Sequence, residues 1–214
     1  MTSMPDVEFV VRTIAQTAVD NETYFGDLDS VVGDGDFGYS LARGFEIVLS
    51  DWDSYDRADI STFLQKVAMA ITGRIGGTSG PIWGTSFLRA AGAVRGKDDL
   101  DGADAVAMLR AAIEGIKARG QADVGDKTLL DALVPTTDAI EAALADGKSS
   151  DEIVALAATT ARASADATTP MIAKRGRAAY TGERSIGSPD AGAVAVAVIF
   201  EALASSWQER EERK

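Results

Sequence analysis

The segment AVAVAVIFEALASSW, residues 193–207, decides the fold class. Its first half alternates alanine with valine, a pattern that suits the pleated surface of a strand. The run then passes into Phe200-Glu-Ala-Leu-Ala with no turn residue between. Val194, Val196, Val198, Ile199, Leu203 and Trp207 are therefore placed on one buried helix that ends in a charged tail. With this segment helical, the rest of the chain offers no competing strand pattern.

Working outward, apolar residues recur at three- and four-residue spacing along most of the sequence. Val7, Val10, Val11, Ile14 and Ala18 form the first stripe, with Pro5 near its start. Leu41, Phe45, Val48 and Leu49 form the second. Phe63, Leu64, Val67, Ala68 and Ile71 form the third, with Ser61 expected as its N-cap. Phe87, Leu88, Ala91 and Val94 follow Pro81, and Val106, Leu109, Ala112, Ile113 and Ile116 come next. Leu130, Leu133, Val134 and Ile140 surround Pro135, an expected kink. Ser149 and Glu152 make a capping-box pattern ahead of Ile153, Leu156 and Ala157. Counting the segment at 193–207, the sequence predicts eight helices in one all-α domain, with short connections that make sequential helices antiparallel neighbours.

Composition narrows the chemistry. The 214 residues carry a formal net charge of -12, which disfavours nucleic acid and anionic membrane surfaces as partners. No run of about 18 uninterrupted apolar residues occurs, so no membrane span is expected. The first residues lack the basic start of a signal peptide. The chain has no Cys and no His. Thiolate, imidazole and phosphohistidine chemistry are thereby excluded, and a reducing, cytoplasmic setting is expected. Catalysis must come from carboxylates, backbone dipoles, Lys or Arg, and metal.

Four glycine-rich segments interrupt the helical pattern. The first, DSVVGDGDFG at 29–38, holds Asp29, Asp34 and Asp36. On a helix Asp34 would point about 140° away from Asp29, so only a looped backbone, which Gly33, Gly35 and Gly38 permit, brings the three together. Converging carboxylates call for a hard cation, Mg2+ before Ca2+; a solvated acidic turn is the plain alternative. The second, GRIGGTSGPIWGTS at 73–86, offers free amides at a helix start, with Thr78 and Ser79 as added donors. It lacks the lysine of a Walker A loop, and a simple interhelical turn would look the same. In the third, Gly120 to Thr128, Asp126 is expected to cap a helix and Lys127 to reach an anion. The fourth, residues 174–193, gathers Lys174, Arg175, Arg177 and Arg184 in a long irregular stretch. Such a basic loop facing an acidic metal loop suits a nucleotide–Mg2+ complex; otherwise it offsets the acidic surface.

Taken in order, Asp29…Gly-Asp-Gly-Asp-x-Gly, Gly76-Gly-Thr-Ser-Gly-Pro-Ile-Trp-Gly-Thr, Gly125-Asp-Lys-Thr-Leu-Leu-Asp-Ala-Leu-Val-Pro and Gly176-Arg-Ala-Ala-Tyr-Thr-Gly-Glu-Arg-Ser-Ile-Gly resemble the L subunit, or C-terminal nucleotide domain, of dihydroxyacetone kinases. The resemblance covers about residues 6–206. It implies eight antiparallel helices closed into an up-and-down barrel with the nucleotide at one end. It implies that Asp29, Asp34 and Asp36 hold two Mg2+ ions and, with Arg177, serve catalysis. By position Phe37, Gly38, Tyr39, Ser40, Gly77, Thr78, Ser79 and Gly80 would contact ADP or ATP. So would Gly120, Thr128, Leu129, Arg177, Asp190, Ala191 and Gly192. The implied partner is a separate K subunit that carries a short-chain ketose on its own histidine. The phosphoryl source is either a bound ADP recharged by a phosphotransferase-system phosphoprotein or exchangeable ATP. Phe37 stands where relatives often have His or Cys, and Ser188-Pro-Asp-Ala-Gly where they often read His-x-Asp-Pro-Gly. A nucleotide-sensing module without turnover is the alternative from another class, and a kinase assay with a K subunit separates the two.

Overall fold

A computed structural model describes residues 3–74 and 79–213. Among the described residues there are nine α-helices and no strand: α1 (Met4–Asp20), α2 (Glu22–Ser30), α3 (Asp36–Ser50), α4 (Ile60–Arg74), α5 (Ser79–Ala93), α6 (Gly102–Gly120), α7 (Leu130–Ala145), α8 (Ser150–Asp166) and α9 (Ala191–Ser206). Eight of them match the apolar stripes. The helix that the pattern missed is α2, because it buries one residue, Phe25, and so carries no stripe to read.

Start signals held unevenly. Ser149 and Glu152 form the expected capping box on α8. The α4 start is a correction: Asp59, not Ser61, accepts the Thr62 amide at 2.7 Å. Ser61 is buried and donates its hydroxyl to the Ala91 carbonyl at 2.8 Å, tying α4 to α5. Pro81 lies inside the first turn of α5, two residues after its start, and Pro135 lies inside α7.

Consecutive helices from α3 to α9 pack side by side, and α1 packs on both α3 and α9. That order is consistent with an up-and-down ring closed through α1, with α2 laid outside it against α3. One contiguous cluster of buried side chains runs from Val7 to Leu203, with Phe25, Phe45 and Phe63 fully enclosed. Phe45 meets the Trp83 and Phe87 rings edge-on at 6.0 and 6.1 Å. Inside the ring lies an apolar cavity of about 420 Å³, bordered by Val10, Phe87, Met108, Leu133, Val196 and Phe200.

α9 is the helix that the opening segment predicts. It buries Ala193–Ala197, Ile199 and Leu203 against α1, α7 and α8. The stretch Ala191–Arg210 does reach the length and mean hydropathy (1.4) of a membrane span, contrary to the expectation of none. Glu201 interrupts its apolar run, so a search for uninterrupted apolar residues passes over it. Within the fold this stretch packs against α1, α7 and α8.

Candidate functional site

The acidic segment folds as helix end, turn and helix start. Asp29 lies on the last turn of α2, residues 31–35 make the turn, and Asp36 opens α3. The loop needed to join the acids thus shrinks to five residues. Gly33 is required there: a Cβ would sit 2.8 Å from the Asp29 carbonyl oxygen and closer still to its carboxylate. Gly35 turns the chain with a left-handed φ of 76°. As a result Asp29, Asp34 and Asp36 each place a carboxylate oxygen within 4.8 Å of the others. Asp29 is half-buried and the other two are exposed. The Phe37 amide donates to Asp29 at 3.4 Å, and the positive end of α3 favours the negative charge gathered there.

Arg177 comes to this cluster from the far side of the chain. Its guanidinium pairs with Asp34 and, at 3.4 Å, with Asp36. One guanidinium offsets one of three carboxylate charges and leaves two unbalanced. Oxygen donors of this number and charge fit a hard divalent cation.

The other expected contact residues divide into several kinds. Gly77 and Thr78 lie outside the described residues, and Ser79 and Gly80 open α5. Gly38 faces α2: a Cβ there would fall 2.5 Å from the Gly26 nitrogen, so its small size serves the α2–α3 crossing. The Phe37 ring turns inward onto Phe25, 6.1 Å between centroids. Tyr39 is exposed with the Arg43 guanidinium 5.1 Å over its ring, and Ser40 is half-buried. Gly120 ends α6 beside Ile82 at the start of α5, and Gly192 lies against Leu129 at the start of α7. The start of α5 thus meets the end of α6, and the starts of α7 and α9 meet each other. Thr128 donates its amide to Asp131 at 2.7 Å and accepts the Leu130 amide on its hydroxyl at 3.2 Å. Asp190 caps α9 by accepting the Ala193 amide at 2.7 Å, with Ala191 as the first helical residue.

Two expectations for the third glycine segment are corrected. Asp126 does not cap α7; it accepts from Arg175 at 3.2 Å and pairs with Lys174 at 3.4 Å. The start of α7 is instead served from within by Asp131, which accepts the Gly125 and Thr128 amides. Lys127 does not reach an anion. It is 3% exposed, and its ammonium donates to the carbonyls of Met171 (3.1 Å), Ser188 (2.8 Å) and Ser185. Of the basic loop, Arg177 meets the acids, Lys174 and Arg175 meet Asp126, and Arg184 is exposed.

Burial pushes the Asp190 carboxyl up to about 7, helped by the nearby Asp131 charge and opposed by Lys127 and the Ala193 and Gly192 amides. Burial likewise lowers the Lys127 ammonium, against the pull of Asp190. Ser188 is buried with its hydroxyl unpartnered among the described residues, beside the start of α9. Asp131, Ser185 and Thr168 were missed by sequence reasoning. Ser185 and Thr168 accept the amides of Ala173 and Asp190, 12 and 22 residues away, for which spacing along the chain gives no signal, whereas Asp131 acts locally on the Gly125 and Thr128 amides.

A family model described as the DAK2 domain matches residues 31–205. The "PEP-dependent dihydroxyacetone kinase, ADP-binding subunit DhaL" of Escherichia coli (strain K12) is 35% identical over 186 residues, covering 87% of this chain and 89% of that one. The "L-erythrulose 1-kinase" of Mycolicibacterium smegmatis is 38% identical over 91% of this chain and 34% of its own length. The crystal structure of the dihydroxyacetone kinase from C. freundii in complex with AMP-PNP and Mg2+ superposes with a TM-score of 0.75 at 28% identity, over 94% of this chain and 33% of that chain. The chain therefore spans about a third of the length of the last two proteins.

Proposed function

This chain belongs to the DAK2 domain family, and from that premise we propose that it is the nucleotide-binding, phosphoryl-donating subunit of a dihydroxyacetone-type kinase. The observation that carries the reading is the meeting of Asp29, Asp34 and Asp36 within 4.8 Å, with Arg177 brought onto them from the far loop. The three carboxylates would hold Mg2+, two ions by family resemblance, which when bound neutralises phosphate charge and polarises the transferred group. Arg177 sits where it can exchange a carboxylate partner for a phosphate oxygen. The amides at the start of α5 would receive phosphate, and the Ser188 hydroxyl, unpartnered among the described residues, offers a further donor.

In the reaction a ketose hydroxyl oxygen forms a bond to the terminal phosphorus as the bond to the ADP oxygen breaks. The hydroxyl proton passes to a base on the separate K subunit, which holds the ketose. This chain has no histidine and supplies charge and position only. The sugar is dihydroxyacetone or a tetrulose such as erythrulose, in line with the names that the relatives carry.

We take the phosphoryl source to be a bound ADP recharged by a phosphotransferase-system phosphoprotein. Support comes from the Escherichia coli relative, named as PEP-dependent and ADP-binding and matched over 89% of its length. Unfolding the purified protein and separating the released nucleotide by chromatography tests this. One ADP per chain supports a resident cofactor; an empty protein that turns over ATP with a K subunit replaces that source with exchangeable ATP. Binding without turnover in the same assay overturns the kinase reading.

A further inference from the structure

The segment between α8 and α9, residues 167–190, leaves the barrel, carries Arg177 across to the acids and returns. Gly176, with φ of 64°, bends it just before a short 3-10 stretch at Arg177–Ser185, and Gly182, with φ of 59°, kinks that stretch from within. Its two limbs meet at one buried point. That point is the Lys127 ammonium, whose acceptors are the carbonyls of Met171 on the outgoing limb and Ser185 and Ser188 on the returning limb. An ammonium has three donors and no acceptor, so these bonds use its full capacity. None remains for a phosphate. Lys127 itself holds a left-handed φ of 60°, a conformation costly to a residue with a β-carbon. Its neighbours reinforce the same junction: the buried Ser185 hydroxyl accepts the Ala173 amide at 2.9 Å, and the Gly187 amide donates to Thr169 at 2.9 Å.

We infer that Lys127 is a positioning residue, which clamps both limbs of the 167–190 strap and so sets Arg177 on Asp34 and Asp36. The inference rests on the Mg2+–nucleotide reading above and deepens it. A lysine that touches neither metal nor nucleotide fixes how well the site binds them. Without the ammonium, three strap carbonyls lose a charged donor in a buried place, and the limbs are free to part. Arg177 then loses its fixed approach to the acids.

The test is a double-mutant cycle on the full chain. Dissociation constants for ADP with Mg2+ are measured for the wild type, Lys127→Met, Arg177→Ala and the double variant, alongside amide exchange. Lys127→Met is expected to weaken binding by about tenfold or more. In the Arg177→Ala background the same change is expected to have almost no further effect, because the two act through one contact. Exchange is expected to quicken across 172–187 and stay unchanged in the buried helices. An equal loss in both backgrounds, or full affinity in folded Lys127→Met, overturns the inference. If Lys127→Met does not fold, Lys127→Gln, which keeps two donors, carries the cycle under the same criteria. If the wild type binds no Mg2+–ADP, the functional reading fails by itself. The clamp is then judged on exchange alone: faster exchange at 172–187 upholds it and unchanged exchange overturns it.

Discussion

Two polar glycine segments look alike in the sequence and do opposite things in the fold. At 29–38 three carboxylates converge at the surface and meet one guanidinium that reaches in from another part of the chain. At 125–131 two of the three charges are turned on the backbone itself: Asp131 takes two amides and Lys127 gives to three carbonyls, while Asp126 pairs with Lys174 and Arg175. The first group keeps charge unbalanced and accessible, as binding requires. The second uses its polar capacity to hold segments in place. Polar composition marks both; only the partners tell a binding site from a fastener.

Substitutions at the two segments should therefore separate binding from stability. The largest effect is expected at Asp34→Asn, which removes one ligand charge from the cluster. Mg2+-dependent nucleotide binding should fall about a hundredfold or more, with thermal unfolding almost unmoved because the side chain is exposed. Calorimetric titration and a melting curve on the same sample check both halves. Next comes Gly38→Ala, in a residue of the acidic segment that serves packing. Its Cβ would fall 2.5 Å from the Gly26 nitrogen, so denaturant unfolding should show a loss of about 2 to 3 kcal/mol.

In the second segment Asp131→Ala leaves the Gly125 and Thr128 amides without their acceptor at the start of α7. A loss of about 1 to 2 kcal/mol is expected, while whatever nucleotide binding remains keeps its Mg2+ dependence. A variant that lost the Mg2+ dependence and kept its stability would erase the distinction between the two segments.

The smallest effect is a slope with pH. The Asp190 carboxyl, ordinarily at 3.8, is raised by burial to about 7 in the fold. Between those values the folded state keeps a proton that the unfolded state has released, so stability falls as pH rises through that window. The residue keeps part of its surface, and water screening reduces the shift and so narrows that window. Asp190→Asn retains an oxygen for the Ala193 amide and removes the titration. Its stability, followed by denaturant unfolding across the same window, should be flatter than that of the wild type.

The legibility of the sequence divides along the same line. Stripes of buried residues announced eight helices, and the 193–207 segment was correctly placed as a helix because its valines lead straight into Phe200-Glu-Ala-Leu-Ala. α2 escaped because a helix outside the ring buries little, and with it went the position of Asp29 on a helix end. The three acids were legible from their spacing and their glycines, since no regular backbone brings them together. The inward turn of Phe37 onto Phe25 was not, because Phe25 belongs to the unread helix. Lys127 and Asp126 were misjudged for a different reason. Their partners lie about 45 to 60 residues away in the strap, and no local pattern encodes a buried ammonium's choice of carbonyls.

The central claim is that three aspartates hold a metal that in turn holds a nucleotide. The measurement that tests it most directly is calorimetric titration of nucleotide-free protein with ADP, first with Mg2+ and then with the metal removed by EDTA. Saturable binding that disappears with EDTA is the result this account predicts. Equal binding under both conditions would contradict it, and would return Asp29, Asp34 and Asp36 to the status of a solvated acidic turn.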